Sequence, residues 1–188
     1  IGADVVLTEE PDLYKEYDIW ALPGVGAFPE GMKQLKKRNL VEKIKMHIDN
    51  GGALLGICLG MQMFFEKSYE YEKTLGLSLL KGEVKKMITT FNNDEKLILP
   101  HIGWNNLEEG FIESSWIKDF FDIKQYFVHS FAVDPYEFTT DYEFLKTKYG
   151  KNTFVSVVRK DRICGLQFHP ERSGENGLKL LKKILENI

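Results

Sequence analysis

Cys58 sits in Gly56-Ile57-Cys58-Leu59-Gly60, with one glycine two residues before the sulfur and another two residues after it. This spacing is the cysteine form of a nucleophile elbow, a strained turn from strand to helix that leaves no room for large flanking side chains. A thiol at a helix start faces unpaired N–H groups, which favour the thiolate and can receive a developing oxyanion. Far along the chain, Gln167-Phe168-His169-Pro170-Glu171 places a histidine and a carboxylate two residues apart. Proline fixes its own φ and keeps the preceding residue extended, so both side chains can point the same way. Together these residues suit thiol acyl transfer: imidazole takes the thiol proton, and a carboxylate on the far ring nitrogen fixes the tautomer. A third stretch, Pro23-Gly24-Val25-Gly26-Ala27-Phe28, is a loop whose backbone can approach a ligand closely and is a candidate oxyanion element. The plain alternatives are a structural core cysteine, an ordinary strand-to-helix turn and a His-Pro-Glu that merely ends a strand. The second cysteine, Cys164, lies between Ile163 and Gly165 and reads as core.

These residues need a scaffold that brings them to one edge. Ala53 to Ile57 reads as a buried strand and Leu59 to Phe65 as the helix after it. Strands are expected at Ala3 to Leu7 and Asp18 to Leu22, and an amphipathic helix at Leu40 to Asn50 with Leu40, Val41, Ile44 and Ile48 inward. Lys33, Lys36, Lys37 and Arg38 read as a solvated face, and His47 as a surface residue. Leu77 to Leu99 reads as antiparallel strands turning at Asn92-Asn93-Asp94. A short helix near Ser114 to Phe121 and a strand over Tyr126 to Val133 follow. Further strands are expected at Glu143 to Tyr149, Phe154 to Arg159 and Ile163 to Phe168, then a closing helix carrying Leu178, Leu181, Leu185 and Ile188 on one face. Helices alternating with strands early, and strands dominating later, predict an α/β fold: a mainly parallel, flavodoxin-like central sheet flanked by helices, with an antiparallel extension.

With 188 residues, 43% hydrophobic and 28% charged, the chain fits one globular domain. A net charge of −3, with lysines interspersed among acids, gives no footprint for nucleic acid or an anionic membrane. Two cysteines without a C-x-x-C pair argue against a disulfide framework or a zinc site and suit the cytoplasm. No apolar run approaches the length of a membrane span. Neither a metal nor a cofactor is expected.

The elbow Gly56 to Gln62 and the Phe168-His169-Pro170-Glu171 segment resemble the hallmarks of the class I glutamine amidotransferases. Leu22 to Phe28, Met61, Pro100-His101-Ile102-Gly103-Trp104-Asn105 and Tyr126 to Phe131 narrow the likeness to glutaminase subunits that serve a synthase in histidine biosynthesis. The similarity runs over essentially all of the chain. It implies Cys58 as nucleophile, His169 as general base and Glu171 as its orienter. It further implies an oxyanion hole from Gly24, Val25 and the Leu59 N–H, and a glutamine pocket from Gly26, Gln62, Glu70, Ser130 and Phe131. The implied partner is a (β/α)8 cyclase that takes up the ammonia and releases imidazole glycerol phosphate and aminoimidazole carboxamide ribotide. Trp104 resembles the residue that faces that partner, and Arg172 stands where relatives have lysine and could alter docking; for Trp104 a half-buried strand tryptophan is the alternative.

The family usually opens with one more strand, a glycine-rich turn and a helix, so this single amidotransferase domain, residues 1–188, is expected to lack an N-terminal strand and helix. Ser78 and Lys81 also depart from the common pattern. Three other readings remain open on the sequence: a paralogous glutaminase feeding a sugar-amidating synthase in surface-glycan biosynthesis, a non-catalytic docking subunit, and a peptidase-like hydrolase that acts alone.

Overall fold

The structure is a computed structural model that describes residues 1–8, 17, 19–89, 96–138 and 141–188. Strand β1 (Ile19–Gly24) leads through the Val25-Gly26-Ala27 loop into helix α1 (Phe28–Lys37), and helix α2 (Leu40–Asp49) returns the chain to strand β2 (Ala53–Cys58). A single-turn helix α3 (Leu59–Gln62) follows, then β3 (Lys67–Ser68), β4 (Thr74–Leu75) and β5 (Glu83–Lys86). Next come β6 (His101–Asn106), β7 (Glu108–Glu109), α4 (Ser115–Lys118), β8 (Lys124–His129) and β9 (Phe131–Val133). The chain closes with β10 (Glu143–Tyr149), β11 (Asn152–Lys160), β12 (Ile163–Leu166), a 3-10 turn at Pro170–Arg172 and helix α5 (Gly174–Asn187).

The main sheet has the order β1-β2-β12-β11-β10-β7. β2 is parallel to both β1 and β12, while the pairings beyond β12 are antiparallel. The expected α/β architecture is present, and its antiparallel extension is larger than the sequence pattern conveyed. β2 lies between two parallel neighbours and is apolar along its length, as a strand covered on both faces must be. Its side chains alternate between two cores. Leu54 packs with Phe28, Met32, Leu35 and Ile44 under α1 and α2. Leu55 packs with Phe154, Leu166, Leu180 and Ile184 under α5.

Several elements differ from expectation. Residues 3–7 form no strand: Val5 and Leu7 are exposed, and no described strand bonds to them. A β pattern without a pairing partner leaves its backbone to water. Helix α3 stops at Gln62 rather than Phe65, because the carbonyls of Met63, Phe64 and Phe65 accept N–H bonds from Leu77, Leu79, Leu80 and Ser78 instead. Between Leu77 and Leu99 the described residues contain one regular strand, β5, paired with β3 and β9; the Asn92 to Asp94 turn lies outside the described residues. The stretch Tyr126 to Val133 is split at Ser130, β8 pairing with β6 and β9 with β5. On α5 the buried face is Gly177, Leu180 and Ile184, whereas Leu178 is exposed. His47 is half-buried, stacked on Trp20 at 4.2 Å with its Nε2 2.9 Å from the Ala53 carbonyl, so it braces α2 against the sheet. Among the described residues no helix is long and apolar enough to cross a membrane.

Candidate active site

The parallel ladder delivers Cys58 to the sheet rim. Gly24 is its register partner on β1, and Ile57 just before it pairs with Leu166 on β12. Cys58 has φ 54° and ψ −109°, the strained elbow conformation that the flanking glycines predict. Those glycines are required by close approach. A Cβ on Gly60 would lie 1.7 Å from the Leu22 carbonyl oxygen, and one on Gly56 would lie 2.4 Å from the Phe64 ring.

The N–H expected to favour the thiolate is present, but burial outweighs it. Cys58 is buried, and burial pushes its thiol up to about 11; the Leu59 N–H hydrogen bond opposes this, and the Glu171 charge adds to it. Helix α3 is only four residues long, so its dipole is small, and desolvation of the anion wins. At neutral pH the sulfur therefore keeps its proton until a base takes it.

His169 supplies a ring suited to that task. Its Nδ1 lies 2.7 Å from Glu171 Oε1. A carboxylate only accepts, so Nδ1 carries the proton and Nε2 presents its lone pair. That Nε2 is buried and has no hydrogen-bond partner among the described residues. The backbone is fixed as well: the His169 N–H donates to the Tyr126 carbonyl at 2.9 Å. Ser173 Oγ donates to the His169 carbonyl at 2.7 Å and accepts from the Tyr126 N–H at 2.8 Å. The imidazole is thus tied to β8 as well as to the end of β12. Glu171 is about half exposed, its side chain at 53%, and its grip on the ring is partly screened by water.

The residues implied as a glutamine pocket fall into two groups. Gln62, itself buried, donates from Nε2 to the Phe131 carbonyl at 2.9 Å and to Gln167 Oε1 at 3.0 Å. Gln167 in turn directs its Nε2 to Cys58 Sγ at 3.8 Å. Ser130 lies at the bend before β9, its carbonyl accepting the Met87 N–H at 3.0 Å. Glu70 belongs to the second group: its Oε2 accepts the Phe28 N–H at 2.8 Å and so ties it to the start of α1, next to the Gly24-Val25-Gly26 loop. In that loop Gly26 has φ 101° with open space where a Cβ would be, and Val25 is exposed. A loop with this freedom can turn its N–H groups toward a substrate oxygen.

Trp104 and Arg172 meet on Tyr126. Trp104, 53% exposed, packs edge-on to that ring at 6.0 Å, and the Arg172 guanidinium covers it at 4.7 Å. Ile102, two residues before Trp104 on β6, is also exposed. The result is an apolar, aromatic patch bordering the 3-10 turn that follows His169.

Sequence reasoning missed Gln167, Ser173 and the role of Tyr126. Gln167 had a visible signal, a polar side chain inside an apolar strand beside the His-Pro-Glu segment. Ser173 had none, because its hydroxyl acts across a tertiary contact. His101 and His129 are register partners on β6 and β8 and are buried; burial pushes them down to about 4 and about 3, so both are neutral. Cys164 is fully buried in the second core, as expected. Among the described residues no group of three or more His, Cys, Asp or Glu is placed to hold a metal ion.

Comparison with known proteins bears on this geometry. The family model for glutamine amidotransferase class-I matches residues 5–188. A protein of Caldanaerobacter subterraneus subsp. tengcongensis named imidazole glycerol phosphate synthase subunit HisH is 41% identical, over 100% of this chain and 88% of its own length. Its namesake in Lactococcus lactis subsp. lactis is 43% identical, over 100% of this chain and 89% of its own. A solved glutamine amidotransferase matches the fold with a TM-score of 0.71 at 16% identity, over 97% of this chain and 87% of that one.

Proposed function

Because the chain belongs to the class I glutamine amidotransferases, we propose that Cys58, His169 and Glu171 hydrolyse glutamine to glutamate and ammonia. The chain is the glutaminase subunit of an imidazole glycerol phosphate synthase, the enzyme of which its relatives are named a subunit. His169 Nε2 takes the Cys58 proton as the sulfur attacks the side-chain amide carbon of glutamine. The oxyanion is met by the Leu59 N–H and by N–H groups of the Gly24-Val25 loop. His169 then returns the proton to nitrogen, the C–N bond breaks, and ammonia leaves a γ-glutamyl thioester. Water, deprotonated by His169, cleaves that thioester and restores the thiol. Gly26, Gln62, Glu70, Ser130 and Phe131 form the glutamine pocket, with Phe131 supplying backbone.

Free ammonia is protonated in neutral water and loses its nucleophilicity, so it has to pass directly to the enzyme that uses it. The client is a (β/α)8 cyclase, bound as a heterodimer in the cytoplasm, and the Trp104, Tyr126 and Arg172 patch is the surface that meets it. An exposed aromatic cluster beside the catalytic histidine suits such docking better than solvent. The observation that carries the reading is the His169 ring, pinned through Nδ1 by Glu171 with a buried, unpartnered Nε2 at the rim that holds Cys58. With the synthase partner present, Cys58→Ala should lower glutamine-dependent synthesis at least about a thousandfold and leave ammonia-dependent synthesis intact. Equal loss of both would contradict the assignment.

A further inference from the structure

Four groups are joined in one buried line. Phe131 O accepts from Gln62 Nε2 at 2.9 Å, the same nitrogen donates to Gln167 Oε1 at 3.0 Å, and Gln167 Nε2 faces Cys58 Sγ at 3.8 Å. The order of donors leaves little freedom. The Phe131 carbonyl oxygen only accepts, so Gln62 must present its NH2 to it, and the other N–H of that NH2 must find an acceptor. That acceptor is Gln167 Oε1, which fixes the Gln167 amide with its own NH2 toward the sulfur. Gln167 is fully buried and carries no charge, so it can donate to an anion without the cost of burying a second ion.

We propose that Gln167 is a further catalytic residue: its side-chain amide, locked by Gln62, holds an N–H on the Cys58 sulfur and supports the negative charge that the sulfur carries during attack and again when the thioester collapses. At rest the Leu59 N–H is a second donor at this sulfur, before it turns to the oxyanion. Two neutral donors on one sulfur offset part of the desolvation that burial imposes, and a hydrogen bond to a charged acceptor is stronger than one to the neutral thiol. Gln167 therefore favours the states in which the sulfur is charged over the resting thiol, which is the condition for lowering a barrier. The line also gives the pocket a physical link to the nucleophile. Whatever displaces the Phe131 carbonyl or Gln62 releases the Gln167 amide from its fixed orientation.

The proposal rests on the reading of Cys58 as the nucleophile, and alkylation of Cys58 tests it without glutamine turnover. Iodoacetamide reacts with the thiolate, so its rate at fixed pH below the thiol's pKa follows the thiolate fraction. In the full chain at pH 8, read by mass spectrometry of the Cys58 peptide, Gln167→Leu should slow alkylation about tenfold, one unit of pKa. Gln167→Glu, which keeps the acceptor for Gln62 and replaces the donor by a carboxylate oxygen, should slow it further. A residue that only packs would give the opposite sign, since loosening the site exposes the sulfur and speeds alkylation. Rates equal to or above the unsubstituted chain in both folded variants would overturn the proposal. In the unsubstituted chain, alkylating Cys58 should shift the Gln167 side-chain amide proton resonances. Unmoved resonances would overturn the proposal even if neither variant folds. Retained glutaminase activity in Cys58→Ala would instead defeat the functional reading, a separate outcome.

Discussion

The two cysteines occupy the same sheet, and one strand pairing separates their roles. Cys164 pairs with Leu55 within the parallel ladder, whereas Cys58 sits three residues further along β2, at the ladder's end. Both are buried, and burial pushes both thiols up, to about 11 for Cys58 and about 12 for Cys164. Burial therefore does not make a nucleophile. Cys58 differs in its strained φ of 54°, in the donors from Leu59 and Gln167, and in lying at the rim that also carries His169. Cys164 stands in regular strand in one core with Leu55, Leu166 and Phe168, and Arg159, its register partner on β11, only partly offsets the effect of burial on its thiol. One sulfur has been given somewhere to put a proton and a charge, and the other has been given packing.

Substitution should separate the two sharply. Cys58→Ala is expected to end glutamine-dependent turnover while thermal unfolding moves little. Cys164→Ala should keep turnover in the same assay and lose about 1 kcal/mol of stability in urea denaturation, the cost of a small cavity. If Cys164→Ala also lost activity with the fold retained, the contrast would fail.

The neighbouring glycines sharpen the same contrast. Gly60→Ala drives a methyl into the Leu22 carbonyl at 1.7 Å, a backbone atom that cannot swing away, and should cost about 3 kcal/mol. It should also push β1 and its Gly24-Val25 loop off the elbow, so that residual folded protein hydrolyses glutamine slowly. Gly165→Ala beside Cys164 meets the Met61 side chain at 2.6 Å, which is flexible, and should cost about 1–2 kcal/mol with turnover preserved. Denaturation midpoints and glutamate release on the two variants check both statements.

The comparison extends to the pH dependence of stability, which changes gradually over several pH units. Thiols held above their ordinary 9.0 stay neutral in the folded chain while the unfolded chain ionises, so stability falls as pH rises from about 9 toward about 11 and 12. His101 and His129, held down to about 4 and about 3, stay neutral while the unfolded chain protonates. Stability is therefore lost as pH falls from about 6.5 toward those values, at up to about 1.4 kcal/mol per pH unit for each group. Cys164→Ala should flatten the alkaline limb and leave the acid limb unchanged. His129→Phe should do the reverse.

Much of this site was legible in the residues because its local chemistry is short in sequence. The Gly56, Cys58 and Gly60 spacing encodes the elbow, since only glycine tolerates the 1.7 Å and 2.4 Å approaches found there. His169 and Glu171 are two residues apart, and proline fixes the geometry between them. What could not be read is whatever depends on long-range partners. Helix α3 ends early because residues 77–80 claim the carbonyls of Met63, Phe64 and Phe65 that follow it. His47 turns inward because the Trp20 ring on β1 stacks on it. The protonated state of Cys58 is not legible in sequence, because a helix start is visible there while its four-residue length and the depth of burial are not. On α5 and its C-cap, Leu181, Leu185 and Ile188 pack on the second core as their spacing predicts, but Leu180 and Ile184 lie deepest and Leu178 is exposed, because leucines on both sides of the stripe leave its phase ambiguous.

Trapping with a chloroketone analogue of glutamine, followed by peptide mapping, tests the central assignment most directly. The account predicts one covalent adduct, on the Cys58 sulfur, formed with loss of chloride, blocked by excess glutamine and at least tenfold slower in His169→Asn. An adduct on Cys164, or labelling of Cys58 that neither glutamine nor the His169 substitution affects, would contradict it.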